Sequence, residues 1–149
     1  MLHPCPPSWP AISFALAHAQ PGDVVEINDD YLQPETNTVT PVKVSGTRKA
    51  WIVIRLAAGK TMIGRAHQSP PGATPEKGDA FIKLRDSSFV RFEGLHIVNA
   101  WDNAIDTTNT SNVEFVDCNA VGGRHVFRVR GESRAIRVAG CRWLQDARI

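Results

Sequence analysis

Val90-Arg91-Phe92-Glu93-Gly94-Leu95-His96-Ile97, Val113-Glu114-Phe115-Val116-Asp117-Cys118-Asn119-Ala120 and Ile136-Arg137-Val138-Ala139-Gly140-Cys141-Arg142-Trp143 are three versions of one segment, spaced 23 residues apart both times. Each alternates large apolar with polar or small residues, turns at Gly94, Asp117 or Gly140, and resumes on Leu95, Cys118 or Cys141. A repeat of this length indicates stacked supersecondary units. Alternation with a period of two selects strands over helices. The unit is one coil of a parallel β-solenoid.

Each coil has an earlier strand as well. Phe81-Ile82-Lys83-Leu84-Arg85, Ala104-Ile105-Asp106-Thr107-Thr108 and Val126-Phe127-Arg128-Val129-Arg130 precede the repeated strands across polar corners such as Asp86-Ser87-Ser88 and Asn109-Thr110-Ser111-Asn112. Two or three short strands per coil, with equivalent positions stacked at roughly 4.8 Å, describe a β-helix.

Working back toward the N-terminus, the Ala-rich stretch Ser13 to Ala19 predicts a short helix with Ile12, Ala15, Leu16 and Ala19 on its apolar side, stopped by Pro21-Gly22. Strands are expected at Val24–Ile27, Val42–Val44, Trp51–Leu56 and Thr61–Ile63. The helix is expected to cover the first coil, hiding edges that would otherwise pair with other chains. Residues 1–10, rich in proline, read as irregular, and residues 11–149 as one β-helix domain of about five coils. His67 to Lys77, rich in Pro and Gly, reads as an inserted loop.

At 149 residues and 42% hydrophobic content the chain can bury one core, and a formal charge of +2 does not mark a nucleic-acid binder. The N-terminus lacks the basic and apolar regions of a signal peptide, and no apolar run approaches the ~20 residues that span a bilayer. Cys118 and Cys141, one step apart, are expected as free thiols in the core, because parallel side chains on stacked strands fit a disulfide torsion poorly. Cys5 stands apart, and no Cys/His spacing suits zinc.

Ala19-Gln20-Pro21-Gly22-Asp23-Val24-Val25-Glu26-Ile27, then Tyr31, Val42-Lys43-Val44-Ser45-Gly46-Thr47 and Trp51-Ile52-Val53-Ile54-Arg55 resemble the N-terminal region of right-handed parallel β-helix proteins of the pectate-lyase-like superfamily. The resemblance is greatest to the chondroitinase B and alginate lyase group, whose members begin with a capping helix, a Pro-Gly-Asp-like turn and a strand ending near a Tyr. It runs from about Ile12 to Asp146, and departs at Asp29-Asp30-Tyr31, where the family usually has Gly before the Tyr. It implies an all-β, right-handed parallel β-helix with a short capping helix, an acidic polysaccharide as partner, and a secreted or cell-surface setting. Such motifs occur in lyases, in tail-spike adhesins and in non-catalytic surface proteins alike.

The outward residues decide what chemistry is open. With Ile82, Leu84, Ile105, Thr107, Phe127 and Val129 inward, Lys83, Asp106 and Arg128 form one outward column flanked by Arg85, Thr108 and Arg130; Arg91, Glu114 and Arg137 form another. Both alternate in sign. Pairing between adjacent strands explains that pattern structurally. The functional alternative is a groove in which Lys83, Arg85, Arg128 and Arg130 neutralise a uronate carboxylate, the step that in lyases of this superfamily precedes proton removal by a base. Each column holds one carboxylate, whereas calcium wants several oxygen ligands and glycoside hydrolysis a carboxylate pair. No cofactor is evident, and calcium is an expectation for a longer parent protein alone. In the group that this chain resembles, the catalytic and metal-binding residues sit in later coils, so none is carried over.

Two corners complete the candidate site. Asn99-Ala100-Trp101-Asp102-Asn103 can present an indole to a sugar face with Asp102 and Asn103 on its hydroxyls, or Trp101 can pack against the loop stack. Gly122-Gly123-Arg124-His125 is the same corner one coil later, where His125 has no Asp or Ser partner at motif spacing. The last repeat is followed by only Gln145 to Ile149, so missing coils or self-association are expected beyond it.

Overall fold

The computed structural model describes residues 1–65 and 77–145. Its strands form three sheets wound into a parallel β-helix of about six turns. The first sheet runs β1 (Leu2–Cys5), β2 (Val24–Ile27), β4 (Ile52–Leu56), β7 (Ser88–Glu93), β10 (Ser111–Val116), β13 (Arg134–Ala139). The second runs β14 (Arg142–Leu144), β11 (Asn119–Val121), β8 (His96–Val98), β5 (Met62–Ile63), β3 (Tyr31–Leu32). The third is β12 (His125–Arg130), β9 (Asn103–Thr108), β6 (Ile82–Arg85). Pairings between these strands are parallel.

The 23-residue register holds through β7, β10 and β13: Val90 pairs Val113 and Ile136, Arg91 pairs Glu114 and Arg137, Phe92 pairs Phe115 and Val138. Identical positions therefore meet. The rings of Phe92 and Phe115 stack 5.1 Å apart, Phe115 and Phe127 3.8 Å apart, and Trp143 meets Phe127 edge-on at 5.7 Å. Gly94, Asp117 and Gly140 share positive φ angles of 64°, 52° and 65°. Each coil thus turns through the left-handed region, where Gly has no penalty and Asp a small one. The core ladder continues through Val25, Ile27, Ile54, Ile82, Leu84 and Ile105, all buried. On the last described coil Val129 and Val138 are 39% and 47% exposed.

Four details differ from the sequence expectation. The helix α1 starts at Trp9, not Ser13, and ends at Ala17. Ser8 caps it through Oγ to the Ala11 N–H, and Pro10 sits in the first turn, where a missing N–H costs nothing. Trp9, Ile12 and Leu16 are buried against the first coils. Leu2–Cys5, read as irregular, is an edge strand, a place where Pro4 is tolerated; this adds a coil to the expected five. Val42–Val44 makes only an isolated bridge, Val42 to Leu84, because the Val44 N–H is taken by Ser87 Oγ. A short strand at Tyr31–Leu32 was not expected; the Tyr31 hydroxyl donates to the Phe81 carbonyl at 2.8 Å.

The Pro-Gly-Asp turn has a clear task. Asp23 accepts the Gln20 N–H at 2.8 Å, the Met1 ammonium at 2.9 Å and His3 Nε2 at 2.8 Å, so it closes the turn and fastens β1. Those bonds, with that from Gln20 foremost, hold its carboxyl well below the usual range. Cys118 and Cys141 are free thiols, their Sγ atoms beside the carbonyls of Phe92 and Phe115. Burial pushes the Cys118 thiol up to about 12. The expected loop His67 to Lys77 lies, apart from Lys77, outside the described residues.

Candidate functional site

Within the 23-residue repeat, the third sheet is where the coil length changes. Val98 pairs Val121, a step of 23, but Asn103 pairs His125, a step of 22. One residue is lost between them, in the corner that Asn99–Asn103 forms in one coil and Gly122–His125 in the next. The shorter corner folds tightly over the longer one: the Arg124 and His125 N–H groups donate to the carbonyls of Ala100 and Asp102, both at 3.0 Å. Gly123, at φ +88°, makes this possible, since a Cβ there would lie 2.7 Å from the Ala100 carbonyl oxygen.

In front of this sheet lies a cleft of about 650 Å³. Six of the sequence-selected residues line it: Lys83, Asp102, Asp106, His125, Arg128 and Arg130. Its volume is within the usual range for ligand sites. Size does not single it out, since grooves of about 680 and 660 Å³ lie elsewhere, by Lys60 and beside α1. The convergence of charge does.

The remaining two selected residues lie apart. Arg85 is exposed at the end of β6 and is not part of the cleft wall. Trp101 packs behind the wall, with the Arg124 guanidinium 5.5 Å from its ring centroid and its Nε1 buried without a partner. The cation on its face takes the place expected for a sugar.

The outward columns pair in two ways. On the first sheet Glu114 holds Arg91 at 2.9 Å and Arg137 at 3.5 Å, the pairing that register predicts. On the third sheet Lys83, Asp106 and Arg128 are in register yet do not pair with each other. Asp106, nearly buried, takes Arg130 instead, through Nη2 at 2.9 Å and Nε at 3.3 Å. Arg130 projects from the same face two residues on, within diagonal reach, and its fork matches both carboxylate oxygens. Lys83 turns to Asp79 at 2.7 Å, and Arg124 to Asp102 at 3.4 Å. Among the described residues, Arg128 is the one cation of the cleft without a carboxylate.

Asp79 and Gln33 were not foreseen. Asp79 accepts the N–H groups of Thr38, Val39 and Ala80, pinning the segment whose Thr36 and Asn37 form the opposite wall. Burial raises its carboxyl, but Lys83 and these N–H groups outweigh that and hold it below the usual range. Gln33, fully buried, donates to the carbonyls of Asp79 and Trp101 at 2.8 and 2.7 Å, and accepts the N–H groups of Arg65 and Trp101. It uses its whole bonding capacity to tie three coils together behind the cleft. A glutamine in polar sequence gives no such signal; both residues are found only through the loop they anchor.

Among the described residues no group of three or more His, Cys, Asp or Glu side chains is placed to hold a metal ion, and no helix is long and apolar enough to cross a membrane. No family model, no curated protein and no solved structure matches the chain.

Proposed function

We propose that this chain is a carbohydrate-binding β-helix of pectate-lyase-like type, whose cleft over the third sheet holds an acidic polysaccharide without cleaving it alone. The observation that carries the reading is the convergence of Lys83, Arg124, Arg128 and Arg130 on one cleft of ligand size. Sugar acids are recognised by such cations, with neighbouring carboxylates and amides taking hydroxyl donors. Lys83 and Arg130 are each engaged by a carboxylate of the cleft, Asp79 and Asp106.

The purified chain is to be incubated with alginate, pectate and chondroitin while binding and the ultraviolet absorbance of unsaturated products are followed. Binding without a rise in absorbance is expected. A rise that disappears in Arg128→Gln or Arg130→Gln would make the cleft an active site. A purely structural module is the second reading, favoured by the internally paired Arg91, Glu114 and Arg137 on the first sheet; it gains if no polysaccharide binds.

A further inference from the structure

Charge along the solenoid is layered coil by coil, and one layer is left unbalanced. Residues 99–121 contain four carboxylates, Asp102, Asp106, Glu114 and Asp117, and no lysine or arginine. Residues 122–144, the coil stacked on them, contain six arginines and one carboxylate, Glu132. Three of the six reach back to the acidic coil: Arg124 to Asp102 at 3.4 Å, Arg130 to Asp106 at 2.9 Å and Arg137 to Glu114 at 3.5 Å. Among the described residues, Arg128, Arg134 and Arg142 hold no carboxylate.

The strands of this coil, β12, β13 and β14, are each the outer strand of a sheet. Val129, Val138, Trp143 and Leu144 are 39%, 47%, 46% and 57% exposed on it. An outer strand also presents a row of backbone N–H and C=O groups without a ladder partner. We infer that this coil docks another protein, through a segment that adds a strand to β13 and sets a carboxylate on Arg137 between two apolar side chains. The strand on the other side of β13 shows what fits: Val113, Glu114 and Phe115 of β10 lie against Ile136, Arg137 and Val138, apolar on apolar and carboxylate on cation. Such cross-strand pairs are what stabilise a sheet. A second copy of this chain offers no match. Its own outer coil would set arginine against arginine, and at its opposite end neither β1 nor α1 contains a carboxylate, while Asp23 already holds the Met1 ammonium and His3. A polyanion without strands would meet the arginines but leave Val138 and Trp143 uncovered.

The probe is a synthetic peptide of residues 111–121 with Cys118→Ser, which carries the β10 and β11 sequence, titrated into the whole chain by calorimetry with tryptophan fluorescence followed in parallel. Binding is expected, with a change in emission that Trp143→Phe removes. A peptide that also carries Glu114→Lys should bind at least about tenfold more weakly, since an attractive cross-strand pair becomes a repulsive one. Arg137 lies outside the cleft over the third sheet, and Arg137→Gln in the chain should bring the two peptides to within about threefold of each other. Circular dichroism verifies that this variant is folded, and the comparison of the two peptides on the unaltered chain does not depend on it. Equal binding of the two peptides, polyglutamate binding as tightly as the first, or a preference that survives Arg137→Gln in the folded chain overturns the inference. So does a chain that sediments as a dimer and excludes the peptide, and so does binding of neither peptide.

Discussion

The first and third sheets share strand register and alternating charge, yet one is a paired surface and the other a cleft. On the first, the 23-residue step holds through β7, β10 and β13, and Arg91, Glu114 and Arg137 meet as neighbours on adjacent strands. On the third, one residue is lost at the corner beside Trp101, and the cations turn to Asp79, Asp102 and Asp106. An unbroken repeat satisfies its own side chains from coil to coil. On the third sheet Asp106 takes Arg130 diagonally, and among the described residues Arg128 is left without a carboxylate. The lesson is that in a solenoid the irregular corner is where a site is to be sought.

Substitutions can test that contrast. The largest effect is expected inside the regular stack, where Phe115 is sandwiched between Phe92 and Phe127. Phe115→Ala should lower stability by about 3–5 kcal/mol through the cavity it opens, measured by urea unfolding. A loss below about 1 kcal/mol would show that the stack collapses around the gap and is less rigid than its register implies.

Next comes Gln33→Leu, which takes away the amide that the carbonyls of Asp79 and Trp101 accept and that the Trp101 N–H donates to. About 3 kcal/mol of stability should be lost, together with saccharide binding, because the back of the cleft is no longer tied. Intact binding in that variant would separate the clamp from the cleft and weaken the link drawn between them.

Asp79 gives a pH test. Its folded pKa lies below the ordinary ~3.9, so its contribution is present above that value and lost as pH falls through the folded pKa. Stability followed from about pH 5 to about pH 2 should fall more steeply in the unaltered chain than in Asp79→Asn, which itself costs about 1–2 kcal/mol near neutral pH. Parallel curves would mean that Asp79 is not the pin of the cleft wall. The smallest effect belongs to the partly exposed pairs of the first sheet: Glu114→Ala should change stability by about 1 kcal/mol and leave binding unaltered.

How far the sequence could be read follows the same division. Periodicity gave the stacking of Phe92 on Phe115, the turn column Gly94, Asp117 and Gly140, and the pairing of Glu114, because each depends only on what lies one coil away. The cleft residues were legible as types and columns. Their partners were not, since Arg130 reaches Asp106 diagonally and Asp79 is brought to Lys83 by a segment outside the repeat. For Trp101 a sugar face and packing against the loop stack both stood open, because nothing in its own corner reveals that Arg124, a coil later, lies over its ring. At the N-terminus the prolines misled for a local reason: Pro4 sits on a sheet edge and Pro10 in a first helical turn, the two settings where a missing N–H does no harm.

The turn column has a consequence for how such a chain can change length. Gly94, Asp117 and Gly140 pass the same left-handed backbone setting from coil to coil, and the strands on either side keep one register. A duplicated block of 23 residues inserted after Val116 would find the coil below and the coil above already shaped to receive it. Length in this stretch is thus nearly a free variable, open to duplication and deletion in whole coils, while the one-residue loss beside Trp101 ties the cleft to a single place along the axis.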